Sequence, residues 1–600
     1  MFDLQLAQAT KLVRKGLKHL GLPAPEEIAW TSTPFSGQWG FGTTIGFQIA
    51  AEEARSGKKV QVPVRAAEIA DLLLKEIGIP QGFARAEAVR GYLNLYVQPT
   101  EYARTVVDAV LKQAEGFGQG KAKSERVMVE YAQPNTHHSF HIGHARNAIL
   151  GESLARIVEF AGFDTIRASY PGDIGLGVIK CLWAYKRFHD GKEPDGVHER
   201  GQWLLSIYTE ANALLGLDEE DEDLKPTERP EYEAEVREMY AKWDAGDPEV
   251  RQLWEETRRW SLDELDEILK LLDIKIDVFF FESEVDEPAK AIVEALIQRG
   301  IAEDERPQGG PVIIKIDEKL GLKKEKYRTA VVLRSDGTTL YLTKDLALAK
   351  QKFEQYQVDR SVYVVDVRQS FHFVQAFKIL ELWGFPQAEQ CFHLPYGFVT
   401  LPEGAMSARR GNVVLFKDVM DETFRRVVQI ITEKNPDLPT EQRNEAARQV
   451  SMGALSYAML SIDTKKDMVF DWDRALDFEG QAAPYIQYAH VRANSILQRA
   501  GKLPKPLAIE HELAPAEVQL LDRISRFPDE VQRSAQEYKP LLIANYAFNL
   551  ARDFTDFYQH CPVIKAEGKV RDARLRLTAA SKQVLATSLK LLSIQAPEVM

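Results

Sequence analysis

Six hundred residues exceed what one hydrophobic core organises, so about three or four domains are expected, and 45% apolar with 10% aromatic residues describes a folded globular chain. The formal net charge of −13 excludes a uniformly basic nucleic-acid binder but leaves room for local cationic patches. No apolar run is long enough for a membrane span, Met1-Phe2-Asp3-Leu4 has no signal-peptide pattern, and the scattered Cys181, Cys391 and Cys561 argue for a reducing cytoplasm over a disulfide framework.

Residues 1–115 read as a small α+β domain. An amphipathic start (Leu6, Leu12, Val13, Leu17) leads to a Gly-rich aromatic segment, Ser36 to Gly42, and alternation over Gly91–Val97 predicts a strand. Gly116 to Glu125 reads as a linker. From Arg126 strands alternate with helices: a strand over Val127–Tyr131, a helix from about Gly143 to Ala161 with Leu150, Leu154, Ile157 and Val158 at helical spacing, and a strand over Asp164–Tyr170. This βαβ pattern predicts an α/β fold class. A Rossmann-type parallel sheet is expected in a catalytic domain over 121–440, with its ligand at the carboxyl ends of the strands. A charged helical insertion falls at about 187–275 and holds six consecutive acids, Asp218 to Asp223. The sheet pattern is expected to return with Val331-Val332-Leu333, Ser361–Val365 and the segment ahead of Tyr396. Residues 441–600 read as helical with no clear strand.

His141-Ile142-Gly143-His144 follows the first of these strands. Two histidines three apart at a strand-to-helix turn can face phosphate, with the partial positive charge of the helix N-terminus behind them. Gly143 lets a flat base approach the backbone. The rival is metal binding, since His137, His138, His141 and His144 lie within eight residues. No HExxH is present, and a glycine inside the cluster suits a ligand helix poorly. Far downstream, Met406-Ser407-Ala408-Arg409-Arg410-Gly411 offers cations on what reads as a loop.

The frame Pro134-Asn135-x₅-His141-Ile142-Gly143-His144, with the Met406–Gly411 segment in the same order, resembles the two ATP-binding signatures of class I aminoacyl-tRNA synthetases. Gly411-Asn412-Val413-Val414 resembles the arginyl-tRNA synthetase family specifically. The resemblance implies that His141, Gly143, His144, Met406, Ser407 and Arg409 hold ATP. It also implies that His141, His144, Arg409 and Arg410 stabilise the charge developing on the phosphates. Two lysines of the family pattern are replaced, by Ala405 and Ala408. The position before HIGH where some members carry a lysine is His138. Asp173, in Pro171-Gly172-Asp173-Ile174-Gly175, matches a further arginyl segment in which a tryptophan is replaced by Ile174.

Three further segments match that family: Glu130 and Asn135, Tyr341 and Asp345, and Gln369. They imply an arginine pocket, consistent with the carboxylates and neutral acceptors a guanidinium requires. Beyond the sheet, Pro484-Tyr485-Ile486-Gln487-Tyr488-Ala489-His490-Val491-Arg492 and the ending Ala596 to Met600 resemble a helical anticodon-binding domain. Tyr485, Tyr488 and Arg492 offer stacking faces and cation contacts to single-stranded bases. Lys565, Lys569, Arg571, Arg574, Arg576, Lys582 and Lys590 form a basic stretch that reads equally as a solvated helix face. The first 115 residues resemble the family's extra tRNA-binding domain.

The function implied is arginine–tRNA ligation in protein synthesis, with ATP and Mg²⁺, L-arginine and tRNA(Arg) as partners. A cytoplasmic monomer with no membrane association and no protein-held metal is expected. A non-catalytic tRNA-binding paralogue and a zinc hydrolase stay open on these residues.

Overall fold

Arg126–Glu130, Asp164–Ser169, Val278–Phe279, Arg360–Asp366 and Cys391–Tyr396 form one parallel sheet. In the computed structural model the described residues are 3–33, 38–215, 229–400 and 414–600. Arg126–Glu130 is the central strand. Asp164–Ser169 and then Val278–Phe279 lie on one side of it, and Arg360–Asp366 and then Cys391–Tyr396 on the other. Val127, Met128, Val129, Val362 and Val364 are buried at 0–1% exposure, as strands covered by helices on both faces must be. The strand order reverses between Glu130 and its partner Tyr363. An open α/β sheet leaves a crevice at the carboxyl ends of its strands at such a reversal.

Two expectations change. Thr329–Leu333 is a strand, but it pairs antiparallel with Val312–Lys315 in a separate three-stranded sheet completed by Glu303–Asp304. Antiparallel pairing needs only a short connection, whereas joining the parallel sheet would need a crossover, and an apolar pentapeptide does not distinguish the two. Met468–Val469 is a short strand within the region read as helical and pairs parallel with Val399–Thr400. Two residues are too few for a periodicity signal.

The insertion is helical from Leu176, earlier than expected: Leu176–Ala184, Val197–Leu215, Arg229–Asp244 and Pro248–Leu271. It has its own core, including Leu182, Trp183, Leu204, Ile207 and Trp254. The acidic run at 218–223 lies outside the described residues.

The parallel sheet belongs to a unit made of Gln119–Gln487, Glu530–Asn545 and Ser588–Met600. A second unit comprises Met1–Gly118, Tyr488–Asp529 and Tyr546–Thr587. In that second unit a four-stranded antiparallel sheet runs in the order Trp30–Ser32, Gly40–Thr43, Tyr92–Val97, Phe83–Val89. Two arginines of the basic stretch are internal there: Arg576 donates to Asp108 at 2.6 Å, and Arg574 to Glu517 at 3.0 Å. Among the described residues no helix is long and apolar enough to cross a membrane.

Candidate active site

Between the central strand and the helix Ile142–Phe160 the backbone turns through two left-handed residues, Ala132 (φ 56°) and His137 (φ 64°). Outside glycine each such residue costs on the order of 1 kcal/mol. At His137 side-chain bonds hold the conformation. Its N–H donates to Ser261 Oγ at 2.9 Å, and its ring meets Thr136 Oγ1 at 3.0 Å and Thr257 Oγ1 at 2.8 Å. Burial pushes His137 down to about 3.

His141 caps the helix. Its Nδ1 accepts from the N–H groups of Gly143 (3.1 Å) and His144 (3.3 Å), and His144 Nδ1 accepts from the His141 N–H at 3.4 Å. These are orphan donors that a helix N-terminus must otherwise leave to water. With Nδ1 accepting, a neutral imidazole carries its proton on Nε2, which this hydrogen-bond network therefore assigns as a donor. The rings stack with centroids 3.6 Å apart. Burial pushes His141 down to about 4 and His144 well below its usual range. The motif thus presents neutral donors plus a helix dipole, not two cations. A β-carbon on Gly143 would stand 2.9 Å from His141 Cε1, so any side chain there would displace the capping ring.

The histidines do not converge on a metal position. His137 turns to Thr257, His138 packs edge-on against Tyr208 at 4.2 Å, and His141 and His144 use Nδ1 on backbone. Among the described residues no group of three or more His, Cys, Asp or Glu is arranged to hold a metal. The zinc reading lacks its ligand set.

The same helix organises the strand reversal. Asn147 accepts from the Ala132 N–H at 2.5 Å and donates to the Val364 carbonyl at 2.6 Å, tying together the two strands that part there. Arg146, 1% exposed, donates to the carbonyls of Gly397, Phe398, Thr464 and Lys466 at 2.6–3.3 Å. The Ile142 N–H donates to the Val414 carbonyl at 3.2 Å, and the Phe416 N–H to the Phe140 carbonyl at 3.1 Å. Described residues on both sides of 401–413 are therefore fastened to this helix. Met406, Ser407, Arg409 and Arg410, with Ala405, lie outside the described residues.

Carboxylates gather at the carboxyl end of the central strand. Glu130 is its last residue, 3% exposed, and Asp345 is one turn into the helix Tyr341–Tyr356. Two acids join them: Glu282 at the start of the helix Glu282–Gln298, and Asp173. All four raise the Tyr170 phenol further above the range to which burial first lifts it. That hydroxyl is buried with no hydrogen-bond partner among the described residues. Burial raises Glu282 to about 7 against the opposing pull of Lys344, whose ammonium lies 3.2 Å away. Asp173, fully buried, accepts from Ser283 N–H (3.0 Å) and Oγ (2.7 Å) and pairs with Arg258 at 3.0 Å, which fixes the start of the Glu282 helix. His372 Nε2 meets Asp345 Oδ2 at 2.5 Å.

Asn135 is drawn to the same place. A β-carbon on Gly172 would meet Asn135 Oδ1 at 2.5 Å and Glu282 Oε1 at 3.0 Å. Tyr341, 64% exposed, begins the helix that carries Asp345, and exposed Gln369 ends the turn after strand Arg360–Asp366. Sequence reading missed Glu282 and Lys344. Glu282 lies far from every signature, and its only local mark is an acid in a helix's first turn, which helix dipoles favour everywhere.

In the second unit, Arg492 lies 4.6 Å over the Tyr488 ring and 4.9 Å from that of Tyr558. Tyr488 and Tyr558 are 41% and 43% exposed, an open layer of two aromatic faces around a guanidinium. Tyr485, half-buried on the helix Ala483–Ala500, falls in the unit of the parallel sheet. Tyr558 was not singled out from sequence.

Residues 106–472 match the family described as tRNA synthetases class I (R), catalytic domain, and residues 486–600 match the DALR anticodon binding domain. The chain is 35% identical over 526 residues to the arginine–tRNA ligase of Bdellovibrio bacteriovorus, covering 86% of this chain and 87% of the relative. It is 33% identical to that of Clostridioides difficile, covering 85% and 86%. The fold is similar to the solved arginyl-tRNA synthetase of Thermus thermophilus, with a TM-score of 0.70 at 25% identity over 99% of this chain and 100% of that one. A neutral helix-capping HIGH turn, a cluster of acids at the strand reversal and these matches lead to one conclusion: the chain belongs to the arginyl-tRNA synthetase family of class I.

Proposed function

We propose that the protein activates L-arginine with ATP to arginyl-adenylate and transfers arginine to the 3′ end of tRNA(Arg). The observation that carries this reading is the cluster of Glu130, Glu282, Asp345 and Asp173 around Tyr170, beside the helix that His141 caps. A planar cation with several donors suits such a pocket, and the neighbouring helix N-terminus suits a phosphate chain. Asn135, Tyr341 and Gln369 complete the arginine contacts. His141 Nε2, Gly143 and His144 contact ATP, and Met406, Ser407, Arg409 and Arg410 close on its phosphates as the second signature. Positioning and charge stabilisation suffice for adenylate formation, which needs no covalent nucleophile. Mg²⁺ arrives on the nucleotide phosphates, the usual mode for this ion. Tyr485, Tyr488 and Arg492 contact the anticodon loop. The protein acts as a cytoplasmic monomer.

ATP–pyrophosphate exchange, run with each amino acid and with or without tRNA(Arg), tests the reading. Exchange with arginine alone supports it. Tight tRNA binding without exchange for any amino acid would leave a non-catalytic tRNA-binding protein, disabled by the replacements at Ala405 and Ala408.

A further inference from the structure

Lys352 is completely buried, yet no sequence motif marks it. Its ammonium lies 2.5 Å from Glu130 Oε2 and 3.9 Å over the Tyr363 ring. Tyr363 is the cross-strand partner of Glu130, so the three groups stack at the strand reversal itself. Lys352 lies on the helix Tyr341–Tyr356, seven residues beyond Asp345, and that interval returns a side chain to the same helix face. One rigid element therefore delivers both Asp345 and the cation that grips Glu130. Among the described residues neither Glu130 Oε2 nor Lys352 Nζ has a partner in hydrogen-bond geometry, so the two buried groups are held together as an ion pair.

We propose that Lys352 is a positioning residue for the amino-acid site: its ion pair with Glu130 Oε2 holds that carboxyl at the strand end, directed at the cationic substrate. The proposal rests on the arginine reading above and adds to it a residue that does not touch arginine.

The electrostatics agree with the geometry. Burial lifts the Glu130 carboxyl above its ordinary range, Lys352 opposes that lift without cancelling it, and Asp345 adds to it. The other groups facing this cluster are Tyr363, Tyr170 and, beside Lys352, Cys391. None of them supplies a second cation. Without Lys352 nothing opposes burial, so the carboxyl is lifted further and its charged form, the one that attracts a cation, is disfavoured. A purely structural salt bridge would predict something different. Its loss would lower stability and affect the arginine and ATP sites together.

The test uses the full chain with tRNA, in exchange assays of Lys352→Met, Lys352→Arg, Glu130→Gln and the double variant. Lys352→Met is expected to raise the arginine KM at least tenfold at pH 7.5 and leave the ATP KM within twofold. Its kcat/KM for arginine should recover as pH rises, because burial unopposed by Lys352 lifts the Glu130 carboxyl further, and Lys352→Arg should restore most of the loss. Glu130→Gln/Lys352→Met should be no worse for arginine than Glu130→Gln alone, since nothing remains to position. Should Lys352→Met fail to fold, this charge-free double variant carries the test by the same comparison. Unchanged arginine KM in a folded Lys352→Met protein, parallel rises for arginine and ATP, or additive losses in the double variant would overturn the proposal. If the unaltered chain gives no arginine exchange, the functional reading fails, and the assay separates that result from failure of the positioning role.

Discussion

Arg146, third after Gly143 in the HIGH helix, donates to the Gly397 carbonyl at 2.6 Å. That bond and three companions to Phe398, Thr464 and Lys466 spend a buried guanidinium entirely on the backbone of two segments, one just ahead of the second signature in the chain and one just ahead of the strand Met468–Val469. Among the described residues its hydrogen bonds go to backbone carbonyls, so its role is to join two chain segments. Arg146→Met should destabilise the protein by about 2–4 kcal/mol, because several carbonyls lose a charged donor. Exchange should fall at least tenfold while tRNA binding is retained, comparing thermal melts, exchange assays and filter binding on one preparation. Wild-type exchange in the variant would remove Arg146 from this role.

Gly172 has room for no side chain where Asn135 and Glu282 approach it. Gly172→Ala should displace one or both, raising the arginine KM tenfold or more with the ATP KM held. Equal increases for the two substrates would mean that the loop distorts the whole crevice.

Glu282 is raised to about 7, chiefly by burial, so in the ligand-free protein it is partly protonated at neutrality. Only the carboxylate attracts a guanidinium strongly. The arginine KM should therefore fall as pH rises from 6 to 8, and Glu282→Gln should give a weak, pH-independent KM. A wild-type profile flat across that window would show Glu282 already ionised in the working enzyme.

Glu264, in the insertion, is raised from 4.5 to about 8 by burial and lies 3.1 Å from His198. A carboxyl whose folded pKa is raised binds more protons folded than unfolded, so stability is lost as pH climbs from about 4.5 to about 8. The slope is at most about 1.4 kcal/mol per pH unit. Glu264→Gln should flatten the decline of Tm between pH 6 and pH 8. Parallel Tm curves for the two proteins would count against this burial effect.

Tyr488 and Tyr558 expose ring faces around Arg492. A base stacked on either contributes about 1–3 kcal/mol, so each alanine variant should raise the tRNA KM by roughly 5- to 150-fold. Melting temperature and the arginine KM should not move. A variant with normal tRNA KM would remove that ring from the RNA surface.

The HIGH turn is legible in sequence because its physics is local. Strand, turn, capping histidine and glycine interact within a few residues, and His141 needs only Gly143 and His144 to form its cap. The βαβ alternation is similarly local, which is why Arg126–Glu130, Ile142–Phe160 and Asp164–Ser169 fall within a residue or two of expectation. Thr329–Leu333 also reads correctly as a strand, but its sheet depends on backbone partners that no five-residue pattern encodes.

Tertiary structure decided which charged groups meet. Glu130 stands out by motif, whereas Lys352 and Glu282 are an ordinary helical lysine and an ordinary first-turn acid until folding places one against Glu130 and the other beside Asn135. The basic stretch at the far end behaves in the opposite way: Arg574 and Arg576 look available for phosphate and are instead committed to Glu517 and Asp108. A side chain's charge is a property of its type, but its partner and its burial are set by contacts between residues 57 to 468 positions apart in these two pairs. Those contacts determine whether the charge binds a ligand or holds the fold together.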